Sequence, residues 1–165
     1  ALFSMVYHGS VRKAKAAASV IKQYAEGKIS EEVYHKKDER IDLVIFLNGL
    51  AIVTFELKCN TSGKNYEDAI RQYKFERDFK TRLFKFKSGA IVNFAMDLFE
   101  VYMTTQLKGN STFFLPFNKG SGYGIESGKG NPHNENGLDV SYMWEDILSK
   151  ETLLYLIDKI IYLKR

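Results

Sequence analysis

The chain has 165 residues, 45% of them apolar, and 24 Lys and Arg against 20 Asp and Glu give it a net charge of +4 and a pI near 9.0. That size and apolar content point to a single domain over residues 1–165 with a sizeable core, and the mild basic excess suits a polyanionic partner without specifying one. Leu43 to Phe55 is broken by Asn48-Gly49 and Thr54, short of the roughly 18 apolar residues of a spanning helix; Ala1 to Gly9 is too short and wrongly flanked for a secretory signal; and one cysteine, Cys59, excludes an internal disulfide framework, so a reducing, cytoplasmic location is expected.

Val11 to Gly27 is rich in Ala and Lys, with Ala17, Val20, Ile21 and Tyr24 at helical spacing, and predicts a helix that stops at Gly27. Ile41 to Leu47 and Leu50 to Lys58 predict two strands joined at Asn48-Gly49, the strongest short hairpin signal. After a turn at Ser62-Gly63, Asn65 to Leu83 predicts an amphipathic helix with Tyr66, Ala69, Ile70 and Tyr73 on one face. Ala90 to Met96, Glu100 to Lys108 and Thr112 to Phe117 predict three more strands, Lys119 to Asn136 a glycine- and asparagine-rich loop, and Tyr142 to Arg165 a return to helix. The order implies an α/β fold: a central mixed β-sheet flanked by helices, with the hairpin making an all-parallel nucleotide-binding sheet improbable.

Inside the hairpin stand three charges. Asp42, Glu56 and Lys58 interrupt apolar β-type runs, where ionised groups are costly to bury unless paired or bound to a metal. Residues two apart on a strand share a face, so Glu56 and Lys58 project together while Phe55 and Leu57 face a core. Two carboxylates to hold a divalent cation, beside an ammonium to neutralise phosphate charge, are a minimal kit for metal-dependent phosphodiester hydrolysis. The hairpin sets a condition. A plain two-residue turn would oppose Asp42 to Phe55 and put the two acids on opposite faces, so a shared cation requires one residue of offset, from a three-residue connection or a β-bulge, with positive φ at Gly49.

Asp42 with Glu56-Leu57-Lys58 resembles the signature of the PD-(D/E)xK nuclease superfamily, with Ile41-Asp42 in place of Pro-Asp. Arg40 to Gly49, Thr54 to Lys58 and Asp68 to Asp78, followed by Val101 to Gly109, Thr112 to Gly120, Gly130 to Pro132 and Ser141 to Leu148, resemble in the same order segments of the nuclease domain of the endonuclease subunit of type I restriction-modification enzymes. The resemblance runs from about Arg40 to the end of the chain. It implies a restriction-endonuclease-like core and an N-terminal fragment of a longer subunit, which would cleave double-stranded DNA alongside modification and specificity subunits. The ATP-driven helicase motor of such subunits is absent from this chain, and ATP belongs to it.

The same resemblance implies Asp42 and Glu56 as ligands of Mg2+, with Mn2+ able to substitute, assisted by the backbone carbonyl of Leu57. Lys58 would orient or deprotonate the attacking water or stabilise the phosphate in flight. Gln72 matches the first position of the Gln-x-x-x-Tyr motif found in many relatives, but Glu76 stands at the fourth residue on and Tyr73 is next door instead. Gln72 is either a site-supporting side chain or an ordinary helical glutamine; Arg71 and Arg77 are phosphate contacts or part of a solvated helix face. An additional N-terminal acid is expected, with Glu26, Glu31 and Glu32 as candidates and Glu32 favoured for its place before the catalytic strand. Two competing readings share these residues: a DNA-binding or subunit-docking module without efficient cleavage, against which the intact triad argues, and a free-standing repair nuclease, which leaves Val101 to Leu148 unexplained.

Other signals fail. Gly124 to Gly130 lacks the spacing and the Ser or Thr of a phosphate-binding loop, and His8, His35 and His133 are too scattered for zinc. Trp144, Phe113, Phe114 and Phe117 read as core.

Overall fold

A computed structural model describes residues 3–7, 41–121, 124–127 and 129–160. The expected helix over Val11 to Gly27 and the candidate acids Glu26, Glu31 and Glu32 lie outside the described residues. A mixed six-stranded sheet runs in sequence order: β1 (Phe3–Tyr7), β2 (Leu43–Leu47), β3 (Leu50–Leu57), β4 (Val92–Met96), β5 (Val101–Thr104) and β6 (Leu115–Pro116). All neighbours pair antiparallel except β3 and β4, which are parallel. Parallel neighbours need a crossover, and α1 (Tyr66–Phe75) lies in it.

The alternation of β3 sorts its side chains onto two cores. Val53, Phe55 and Leu57 join Leu43, Ile45, Phe94 and Met96 on one face, which packs on Tyr142, Met143, Trp144, Leu148 and Leu153 from the C-terminal segment. That segment is a π-helical turn over Met143–Ile147 followed by α2 (Lys150–Ile160). Thr54 and Glu56 turn to the other face, where Val44, Ala95, Phe84 and Phe114 pack around Ala69 and Tyr73 of α1. Among the described side chains, β2 to β4 therefore present apolar residues on one face and carry the charged residues on the other.

Three expectations need correction. α1 ends at Phe75 rather than Leu83: its start is fixed by a capping box between Asn65 and Asp68, but beyond Glu76 the chain forms turns, with Lys80 N and Thr81 Oγ1 donating to Asp78. Of the strand expected over Thr112 to Phe117 only Leu115–Pro116 pairs, because Thr112 Oγ1 ties back to Gly109 O and Lys108 N in a turn. Phe113, expected in the core, is 75% exposed, whereas Trp144 and Phe114 are buried.

Candidate active site

The Asn48-Gly49 connection is a two-residue turn, with φ of 50° at Asn48 and 79° at Gly49, and Leu47 faces Leu50 across it. Both central residues at positive φ give the type I′ geometry that matches strand twist. The required offset comes two residues later. Phe46 pairs with Ala51 but Ile45 pairs with Val53, so Ile52 is an additional residue on β3, a β-bulge. From there Val44 faces Thr54 and Leu43 faces Phe55, and the next pair in that register is Asp42 with Glu56.

The carboxylates are thus side by side on the α1 face, and both are buried, Asp42 at 5% exposure and Glu56 at 0%. Asp42 Oδ2 accepts from the Leu57 backbone N at 2.9 Å, taking over a ladder hydrogen bond where β2 has ended. Glu56 Oε1 accepts from Arg77 Nε at 2.6 Å and lies 2.6 Å from Arg77 Nη2. Glu56 Oε2 is buried with no hydrogen-bond partner among the described residues. Burial pushes the Glu56 carboxyl up to about 8; the Asp42 carboxylate adds to the rise, while Arg77 and, more weakly, Lys58 oppose it.

Lys58 Nζ donates to Gln72 Oε1 on α1, which ties the ammonium to the helix. Beneath the acids, Tyr73 OH lies 2.9 Å from Thr54 Oγ1, which donates to Asn93 Oδ1 at 2.7 Å, and Asn93 Nδ2 donates to Thr104 O at 3.4 Å. Since Thr54 gives its proton to Asn93, Tyr73 donates to Thr54, and burial raises the Tyr73 hydroxyl well above its usual range and keeps it protonated.

The structure thus brings together Asp42, Glu56, Lys58, Gln72 and Arg77. Arg77 is not part of a solvated helix face: it lies past the end of α1, is 7% exposed, and its guanidinium pairs with Glu56. Arg71 remains on the surface, 4.0 Å from Asp68 one helical turn back. The polar chain through Tyr73, Thr54 and Asn93 escaped sequence reasoning; its one signal was the alternation Thr54, Glu56, Lys58 on β3.

The family resemblance implies a metal ion, and Asp42 and Glu56 are donors of a kind that would suit one. Carboxylate oxygens suit a hard divalent cation, and Glu56 Oε2, buried without a hydrogen-bond partner, is an atom that a cation would satisfy by displacing the carboxyl proton. Among the described residues no group of three or more His, Cys, Asp and Glu is gathered.

The family model for the N terminus of the type I restriction enzyme R protein matches residues 18–112, more than half of the chain. The chain belongs to this family. The matched span contains every residue of the site from Asp42 to Arg77, as well as the turns that follow it. Comparisons with curated proteins and with solved structures found no match. Membership of the R-protein family supports a role in restriction and the nuclease chemistry that goes with it.

Proposed function

We propose that this chain is a Mg2+-dependent endonuclease domain with a PD-(D/E)xK core, cutting double-stranded DNA within an ATP-dependent type I restriction enzyme. The observation that carries the reading is the buried Asp42–Glu56 pair with an orphaned Glu56 Oε2 and Lys58 on the same face. Asp42 and Glu56, with the Leu57 carbonyl, would hold Mg2+, which when bound polarises a phosphoryl oxygen and makes water a better nucleophile. Arg77 fixes Glu56 through Oε1 and leaves Oε2 as the ligand atom. Gln72 accepts a hydrogen bond from the Lys58 ammonium and orients it, so that its charge could neutralise phosphate or order the attacking water. The motor that consumes ATP and the modification and specificity subunits belong to the rest of the assembly.

The reading is tested with calorimetry and cleavage together. Mn2+ binding should largely vanish in Asp42→Ala and in Glu56→Ala while both keep native circular dichroism; undiminished binding in either removes that residue from the site. Lys58→Ala in the complete enzyme should abolish cutting while ATP hydrolysis and translocation continue, and loss of both together would mark a folding defect instead.

A further inference from the structure

Residues 79–88 hold Lys80, Arg82, Lys85 and Lys87 and no acid, a charge of +4 that equals the net charge of the whole chain, so the remaining 155 residues sum to zero (4 − 4). All four cations are exposed. This is not a loose basic arm. Phe84 is buried at 3% exposure against Tyr73, Lys85 N donates to Thr81 O at 2.9 Å, Gly89 N to Lys85 O at 2.7 Å, and Ala90 N to Leu83 O at 2.7 Å. A Cβ on Gly89 would fall 2.3 Å from Leu83 O, so the loop closes as tightly as backbone permits. Two exposed rings carry ammonium groups: Lys80 Nζ lies 6.0 Å from the Phe79 ring centre and Lys87 Nζ 5.7 Å from that of Phe86, which restrains long side chains otherwise free to wander. The loop is also tethered to the site. Arg77, bonded to Glu56, is three residues before Lys80, and three residues span at most about 11 Å.

We infer that residues 79–88 form the surface that grips the phosphate backbone of duplex DNA and holds it against the Asp42–Glu56 site. Four exposed cations on one hydrogen-bonded loop, two of them restrained by aromatic rings, are complementary to a rod carrying one negative charge per roughly 1.7 Å of axis, and phosphate contacts of this kind position a duplex without reading its sequence. The inference rests on the nuclease reading above.

The experiment measures duplex binding by anisotropy on the intact protein as a function of salt, in Ca2+ to prevent cutting. Each phosphate contact contributes about 0.9 to the slope of log affinity against log salt, so K80Q/R82Q/K85Q/K87Q should flatten the slope by about 3.6 and weaken binding by about 100-fold near physiological salt, with Mn2+ binding unchanged. Each single variant should flatten it by about 1, which keeps the test readable should the quadruple variant misfold. A control with Lys119, Lys129, Lys150 and Lys159 changed to Gln, all exposed and elsewhere in the chain, should change the slope by less than about 1. A wild-type slope in the loop variants, or an equal loss in the control, overturns the inference and leaves the nuclease reading standing. Binding that depends on the four cations, in a complete enzyme unable to cut with Mg2+ and ATP, supports the loop and sinks the nuclease reading.

Discussion

Glu56 is the residue on which burial and charge pairing compete most directly. Its carboxyl is raised to about 8 because burial outweighs the Arg77 guanidinium, so without metal the folded protein holds a proton there that the unfolded chain, titrating near 4.5, has released. Between those two values the native state binds more protons, and stability therefore falls as pH rises from about 4.5 to 8, by about 1.4 kcal/mol per pH unit at most. Glu56→Gln should remove that slope: urea unfolding of the metal-free protein at pH 5.5 and 8.5 is expected to show a larger drop for wild type than for the variant, and parallel drops would refute the assignment. Arg77→Met pushes the Glu56 carboxyl above 8 and keeps it protonated, so the variant should cost about 1 kcal/mol more at pH 8.5, where the wild type gains from ionising Glu56 beside Arg77, than at pH 5.5, where Glu56 is neutral in both. Equal costs at the two pH values would show that Arg77 stabilises by packing alone.

At the scale of elements, the hairpin separates its turn from its function. The turn sets chain reversal, and the bulge at Ile52 sets which face Glu56 occupies. Gly49 has φ of 79° and open space around its Cβ position, so Gly49→Ala should cost about 1 kcal/mol of backbone strain and leave Mn2+ affinity unchanged. A lost metal site in that variant would mean that the turn, not the bulge, holds the acids in register. Gly89 behaves differently. Its φ is not in the left-handed region, but a methyl there collides with the Leu83 carbonyl, so Gly89→Ala should displace the basic loop and reduce duplex affinity while Mn2+ binding persists. Calorimetry and anisotropy on the same sample separate the two effects.

Across the whole molecule, the sheet divides two kinds of core. Its apolar face is sealed by the C-terminal segment, while its other face pairs α1 with the carboxylates and the Tyr73–Thr54–Asn93 chain. Leu153 is buried on the apolar side at 5% exposure. Leu153→Ala should cost about 2 to 4 kcal/mol in denaturant unfolding through the cavity it leaves, with Mn2+ affinity within about twofold of wild type because no side chain on the site face loses a contact. A large drop in metal affinity would show that the two faces respond as one unit.

The turn at Asn48-Gly49, the alternation of Glu56 and Lys58, the helix start at Asn65, and the α/β order were legible from residues alone, because each is a local preference of backbone or periodicity. The convergence of Asp42, Glu56 and Lys58 was legible only as a condition, the one-residue offset. Tertiary structure decided where that offset falls: a bulge residue such as Ile52 is chemically like its neighbours, and which of them goes unpaired depends on packing on both faces of the sheet. The same holds for Arg77, which helical periodicity placed on a continuing surface helix. Its guanidinium turns inward because a wholly buried Glu56 needs a donor, and that need exists only after β3 and α1 have packed together.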